Sequence, residues 1–132
     1  MTCDVVRIAR LLNDLVVAKT VYDLVKRGYN PSTLYRYLDW LVEYGFVRVV
    51  KYGGARYYHL TGLGAELLRT LRKAVIHRVT RILEERGIKY RIWWGDKEVR
   101  VVKPVVYVDR TVDLPVNLED LVELKVAKDA VS

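Results

Sequence analysis

Asp109 closes an apolar run, and Glu123-Leu124-Lys125 follows fourteen residues later. On neighbouring strands, such residues could perform metal-assisted hydrolysis. The carboxylates would hold Mg²⁺ and the lysine would steady the attacking water. A helix is expected from Leu118 to about Ala130, however, and on a helix Glu123 and Lys125 point in different directions. His59 and His77 lie far apart, with no Cys or carboxylate at ligand spacing, and are expected to be structural. The single cysteine, Cys3, supports neither a disulfide framework nor a zinc site. No Ser/His/Asp set, phosphate-cradling glycine loop or haem motif occurs. Neither a cofactor nor catalysis is expected.

Charge is more informative than any of these residues. The 132-residue chain has a formal charge of +7. Residues 1–88 hold 15 Lys and Arg against 8 Asp and Glu, while residues 89–132 hold 8 of each. The whole surplus therefore sits in the first two-thirds, as in a polyanion-binding module joined to a neutral one. About half the residues are apolar, which suits one ordinary domain or a small domain with an appendage. The absence of a secretory signal pattern or a membrane-length apolar run makes a cytoplasmic protein the expectation. Gln is absent and Asn occurs only at positions 13, 30 and 117. Scarce amides and thiols suit a hyperthermophile source, and an archaeal-type protein is the expectation.

Periodicity supplies the elements that would position a site. Asp4 can cap a first helix with Val5, Ile8, Leu11 and Leu12 inward. A second helix is expected over Val16–Arg27, with Val17, Val21, Leu24 and Val25 inward and Gly28 as its stop. Asn30-Pro31 opens a third, with Leu34, Leu38 and Leu41 on one face, and Gly45 ends it. Val47 to Tyr52 and Arg56 to Leu60 are strands around a Gly53-Gly54 hairpin turn. Thr61 caps a long helix reaching about Arg86. Along it Leu68, Leu71, Val75, Val79 and Ile82 form a stripe longer than a small core needs, which suggests a dimer seam. Beyond Lys89, KYRIWW and KEVRVV flank a Gly95-Asp96 turn, VVYV is a third strand, and Asn117 caps the last helix. Adjacent Trp93 and Trp94 should face opposite sides, one filling a core and the other at a contact or pocket.

This order resembles the winged helix-turn-helix superfamily. STLYRYLDWLVEYGFV is similar to its recognition-helix segment, and YYHLTGLGAELL to the wing-to-helix junction of MarR-type and PadR-type regulators. The resemblance covers roughly residues 5–86, and residues 89–132 match nothing we can place. It implies an α+β fold with a winged helix-turn-helix domain over 1–62, a dimerisation helix over 63–87 and a β-rich extension over 88–132. It further implies a homodimeric transcription regulator that places its third helix in the major groove of double-stranded DNA and its wing on the backbone.

Carried onto this chain, the DNA-binding residues would be Ser32, Thr33, Tyr35, Arg36, Trp40, Arg48, Lys51 and Arg56. Ser32 and Thr33 would meet phosphate with help from free N–H groups at the helix start. Arg36 has the fork that matches a guanine edge. Lys51 and Arg56 flank the wing tip, with Arg48 in support. Arg69, Arg72 and Lys73 could extend the phosphate footprint, and Arg78 and Arg81 could pair with Glu84 or Glu85 across a dimer. Yet residues 31–44 carry Arg36 against Asp39 and Glu43, and four bulky aromatics, Tyr35, Tyr37, Trp40 and Tyr44. Tyr37 and Tyr44 are expected to flank the core, whereas Trp40 points outward, as an interface residue does. The rival expectation is therefore a winged-helix adaptor that contacts a protein through Trp40. A restriction-like nuclease built on Asp109, Glu123 and Lys125 is a remote third.

Overall fold

The computed structural model describes residues 5–94, 103–114, 118 and 121–131. It is mixed α+β. Its elements are α1 (Val5–Asp14), α2 (Val21–Lys26), α3 (Pro31–Glu43), β1 (Val47–Tyr52), β2 (Ala55–Leu60), α4 (Gly62–Glu85), β3 (Tyr90–Trp93), β4 (Val105–Val108) and β5 (Glu123–Val126). Contacts divide the chain into two compact units, residues 11–69 and residues 1–10 with 70–132. The second cut falls inside α4, so residues of the long helix fall in both units.

In the unit of residues 11–69, α3 starts where the sequence places it. The Asn30 side chain accepts from the N–H groups of Ser32 and Thr33 at 3.1 and 3.3 Å, and Pro31 follows the cap. Leu34, Leu38 and Leu41 are buried. The helix ends with Gly45 at φ +80°, where Gly45 N–H bonds to Val42 and Phe46 N–H to Leu41. β1 and β2 then pair antiparallel with Tyr52 opposite Ala55, leaving Gly53-Gly54 as a two-residue turn. Thr61 closes the hairpin base. Its hydroxyl donates to the Gly45 carbonyl and accepts from Gly64 N–H, so it caps α4. Gly64 is obligatory for contact, because a Cβ there would overlap the Phe46 carbonyl oxygen.

The second helix is shorter than periodicity suggests. Residues 16–20 are not part of it. Lys19 instead exchanges two backbone bonds with Tyr58, at 3.0 and 2.7 Å, and lies beside the free edge of β2. Unpaired strand groups need partners, and this long-range demand outweighs the helical pattern. α2 begins only after Thr20, which forms a reciprocal capping box with Asp23. Val17 is consequently 66% exposed, and of the four residues expected inward only Leu24 is fully buried.

The second unit holds a three-stranded sheet in the order β3-β4-β5. β3 runs antiparallel to β4 and β5 parallel to it. VVYV is thus a strand, as expected, and its central position accounts for burial of Val105, Val106 and Val108. The expected helix over 118–130 is not formed. Glu123–Val126 is a strand, followed by a short 3-10 turn over Lys128–Ala130. Glu, Leu, Lys and Ala favour helix locally, but the period-two run Val122-Glu123-Leu124-Lys125-Val126 pairs with the open edge of β4. The expected KEVRVV strand, the Gly95-Asp96 turn and the Asp4 and Asn117 caps lie outside the described residues. Neither tryptophan fills a core, since Trp93 is exposed and Trp94 half-buried.

The α4 stripe needs a larger correction. Leu68, Val75 and Val79 are buried within the single chain, so they are not available as a dimer seam. Leu71 and Ile82 are half-buried. The helix needs its long apolar stripe because both compact units draw core residues from it, Leu68 in one and Val75, Ile76, Val79 and Leu83 in the other.

Candidate functional site

The exposed face of α3 carries Ser32, Tyr35, Arg36, Asp39, Trp40 and Glu43, as the helical wheel requires. Thr33 is half-buried. The start of the helix differs from expectation. The Ser32 and Thr33 N–H groups already donate to Asn30, the Ser32 hydroxyl donates to the same oxygen at 2.8 Å, Leu34 N–H bonds to the Asn30 carbonyl, and Pro31 has no N–H. The good cap that starts α3 therefore consumes the donors that a phosphate would need.

At the other end, Trp40 packs on Tyr44 and Phe46, with ring centroids 5.5 and 6.1 Å apart. Tyr44 is the cap residue and stands 58% exposed, so it joins this surface cluster and does not flank the core. Tyr37 is half-buried, as expected for a residue at the core's edge. Leu63, half exposed, lies beside Gly45 and extends the apolar patch.

The hairpin has two unlike faces. Its residues alternate, so Val47, Val49 and Lys51 share one face with Leu60, Tyr58 and Arg56, their cross-strand partners. The core end of that face is buried. Its tip pairs Lys51 directly opposite Arg56, both exposed. Two cations in direct cross-strand register repel one another, and a bound anion would relieve that repulsion. No acidic residue occurs between Tyr44 and Thr61 to do so locally.

Arg48 lies on the opposite face and does not support the tip cations. Its guanidinium is 3.4 Å from His59 Nδ1, and His59 Nε2 is 3.2 Å from the Val16 carbonyl. Arginine only donates, so Nδ1 accepts and Nε2 carries the proton to Val16. His59 is thus structural, as expected. The same outer face holds Val50, Tyr52 and Tyr57, which with Ala18, Arg48 and His59 line a shallow groove of about 400 Å³. Tyr52 and Tyr57 were not singled out among the sequence candidates. Period-two alternation along β1 and β2 would have placed them together and separated Arg48 from Lys51.

The basic residues of α4 divide as well. Lys73, Arg78 and Arg81 are exposed, Arg69 is half-buried, and Arg72 is buried, so Arg72 cannot extend a surface footprint. Glu84 accepts from the Tyr90 hydroxyl at 2.6 Å, which raises the Tyr90 pKa above its ordinary value. Arg27 and Tyr29 both donate to Asp14, at 3.0 and 2.7 Å. That carboxylate ties the end of α1 to the segment before α3, a contact across thirteen and fifteen residues that no local pattern signals.

Glu123 and Lys125 do share one face of β5, 3.7 Å apart and exposed. Asp109 is not with them. Glu123 pairs with Val105, whereas Asp109 follows Val108 at the opposite end of β4 and contacts Arg110. Among the described residues no group of three or more His, Cys, Asp or Glu could hold a metal ion, and no helix is long and apolar enough to cross a membrane. No protein-family model, curated protein or solved structure matches the chain significantly.

Proposed function

We propose that this is a winged helix-turn-helix transcription regulator that binds double-stranded DNA through the exposed face of α3 and the tip of the β1–β2 wing. The order of helices, hairpin and long helix supports the reading. The observation that carries it is the Lys51–Arg56 pair, held in direct register at an all-basic hairpin tip. Phosphate is the complementary partner, and the two glycines beyond the pair let backbone approach closely. Arg36, exposed in the middle of α3, is the residue offered to a base edge. Asp39 and Glu43 oppose non-specific contact along the same helix, so affinity comes chiefly from the wing.

As a regulator of a two-fold site the protein acts as a homodimer, through a surface other than the buried centre of the α4 stripe. Duplex binding followed by fluorescence anisotropy across a salt series tests the proposal. Binding should weaken steeply with salt, and several-fold further in Lys51→Ala/Arg56→Ala. No binding at low salt would sink it.

One observation favours a second reading, a protein-contacting adaptor. Trp40 and Tyr44 form an exposed aromatic pair, of the residue types that dominate binding hot spots. An adaptor would bind duplex feebly and lose its protein partner on Trp40→Ala.

A further inference from the structure

The outer face of the wing is built differently from the tip. Tyr52 is 78% exposed and Val50 40% exposed, although both belong to a regular strand. Tyr57 stands opposite Val50 and is the diagonal neighbour of Tyr52. Diagonal residues on paired strands are about 7–8 Å apart, roughly two aromatic ring thicknesses. One base fits between two such rings, or one against each. Arg48 closes the far end of the groove beside His59. The groove is lined by one cation, Arg48, and no carboxylate, and the hairpin from Val47 to Leu60 contains no carboxylate on either face.

We propose that this outer face is a stacking platform for unpaired bases of single-stranded DNA, with Tyr52 and Tyr57 as the stacking residues and Arg48 as a phosphate contact. The inference rests on the proposed role of the wing in contacting DNA. Charge decides the occupant. An uncharged apolar peptide would cover the tyrosines but would leave Arg48, at the end of the groove, without a counter-charge. A nucleic acid strand supplies π-faces and phosphates together. Tyrosines serve this task because every base has a stacking face, so the platform tolerates any sequence. With α3 and the tip on duplex and the outer face on an adjoining strand, the preferred ligand is a duplex with a single-stranded tail.

The test uses the full chain and three labelled probes: a blunt duplex, the same duplex with a thymidine tail of about eight nucleotides, and that tail alone. The tail should raise duplex affinity about tenfold, and Tyr52→Ala/Tyr57→Ala should abolish the gain. Tyr52→Phe/Tyr57→Phe should retain it, because the ring faces persist. Tyr52→Ala alone, at a position with almost no packing to lose, should remove part of the gain without altering the thermal melt. A tail that adds nothing while the blunt duplex binds overturns the proposal, as does a gain that survives the double alanine variant. Binding to none of the probes overturns it too. Binding to the tail alone but not to the blunt duplex sustains it and sinks the duplex-reading role instead.

Discussion

α3 and the wing are neighbours in one compact unit, and both expose their side chains, yet their surfaces differ in kind. The helix shows one arginine among two carboxylates and an aromatic cluster. The wing tip shows only cations, placed opposite one another in a fixed register. A helix with a satisfied N-cap and acids on its face has little attraction for phosphate. A hairpin with unrelieved positive charge has much. On the proposed reading, binding strength and partner choice would be divided between the two, the wing supplying the first and the helix the second.

The most damaging test of that comparison removes what holds its two halves together. Gly64→Ala drives a methyl group into the Phe46 carbonyl at the junction between α3, the wing base and α4. Overpacking of this kind typically costs about 1–3 kcal/mol, and a clash with backbone belongs at the upper end. A thermal melt should show a drop of many degrees, and an unchanged melt would contradict the close approach. Trp40→Ala comes next. It removes two ring contacts, each worth about 0.5–1.5 kcal/mol beyond burial, and should leave the salt dependence of duplex binding unaltered. A large change in that dependence would move the helix into the phosphate footprint.

Asn30→Ala should cost about 1 kcal/mol in denaturant unfolding by uncapping α3. The smallest effect lies at α2. The Thr20 backbone N–H holds the Asp23 carboxyl below its ordinary value of 3.8, with the Thr20 side chain assisting. A depressed carboxylate stabilises the fold above its unfolded pKa and loses that contribution as pH falls through the folded one. Protection of the α2 amides, corrected for the intrinsic pH dependence of exchange, should therefore fall only below about pH 4, and Asp23→Asn should remove this pH dependence.

What was legible in the sequence was local. Asn30-Pro31, Gly45, Gly53-Gly54 and Thr61 act within a few residues, and each stands where its chemistry placed it. Long-range pairing was not legible. Lys19 leaves a helical pattern because Tyr58, thirty-nine residues away, needs a partner, and Glu123–Val126 becomes a strand because β4 has an open edge. The candidate site divides in the same way. Arg36, Lys51 and Arg56 are exposed as expected, whereas Arg48 required the strand register to show which face it occupies. The seam on α4 failed because stripe length alone does not say whether a second chain or the chain itself does the covering.

The central claim is that the wing tip binds the DNA backbone, and the salt dependence of duplex affinity tests it most directly. Lys51→Ala/Arg56→Ala should lower the slope of log affinity against log salt by nearly two, since each phosphate contact contributes about 0.9. Arg48→Ala, on the opposite face, should leave the slope for blunt duplex unchanged. Equal slopes in wild type and the double variant, or a loss confined to Arg48→Ala, would contradict the account.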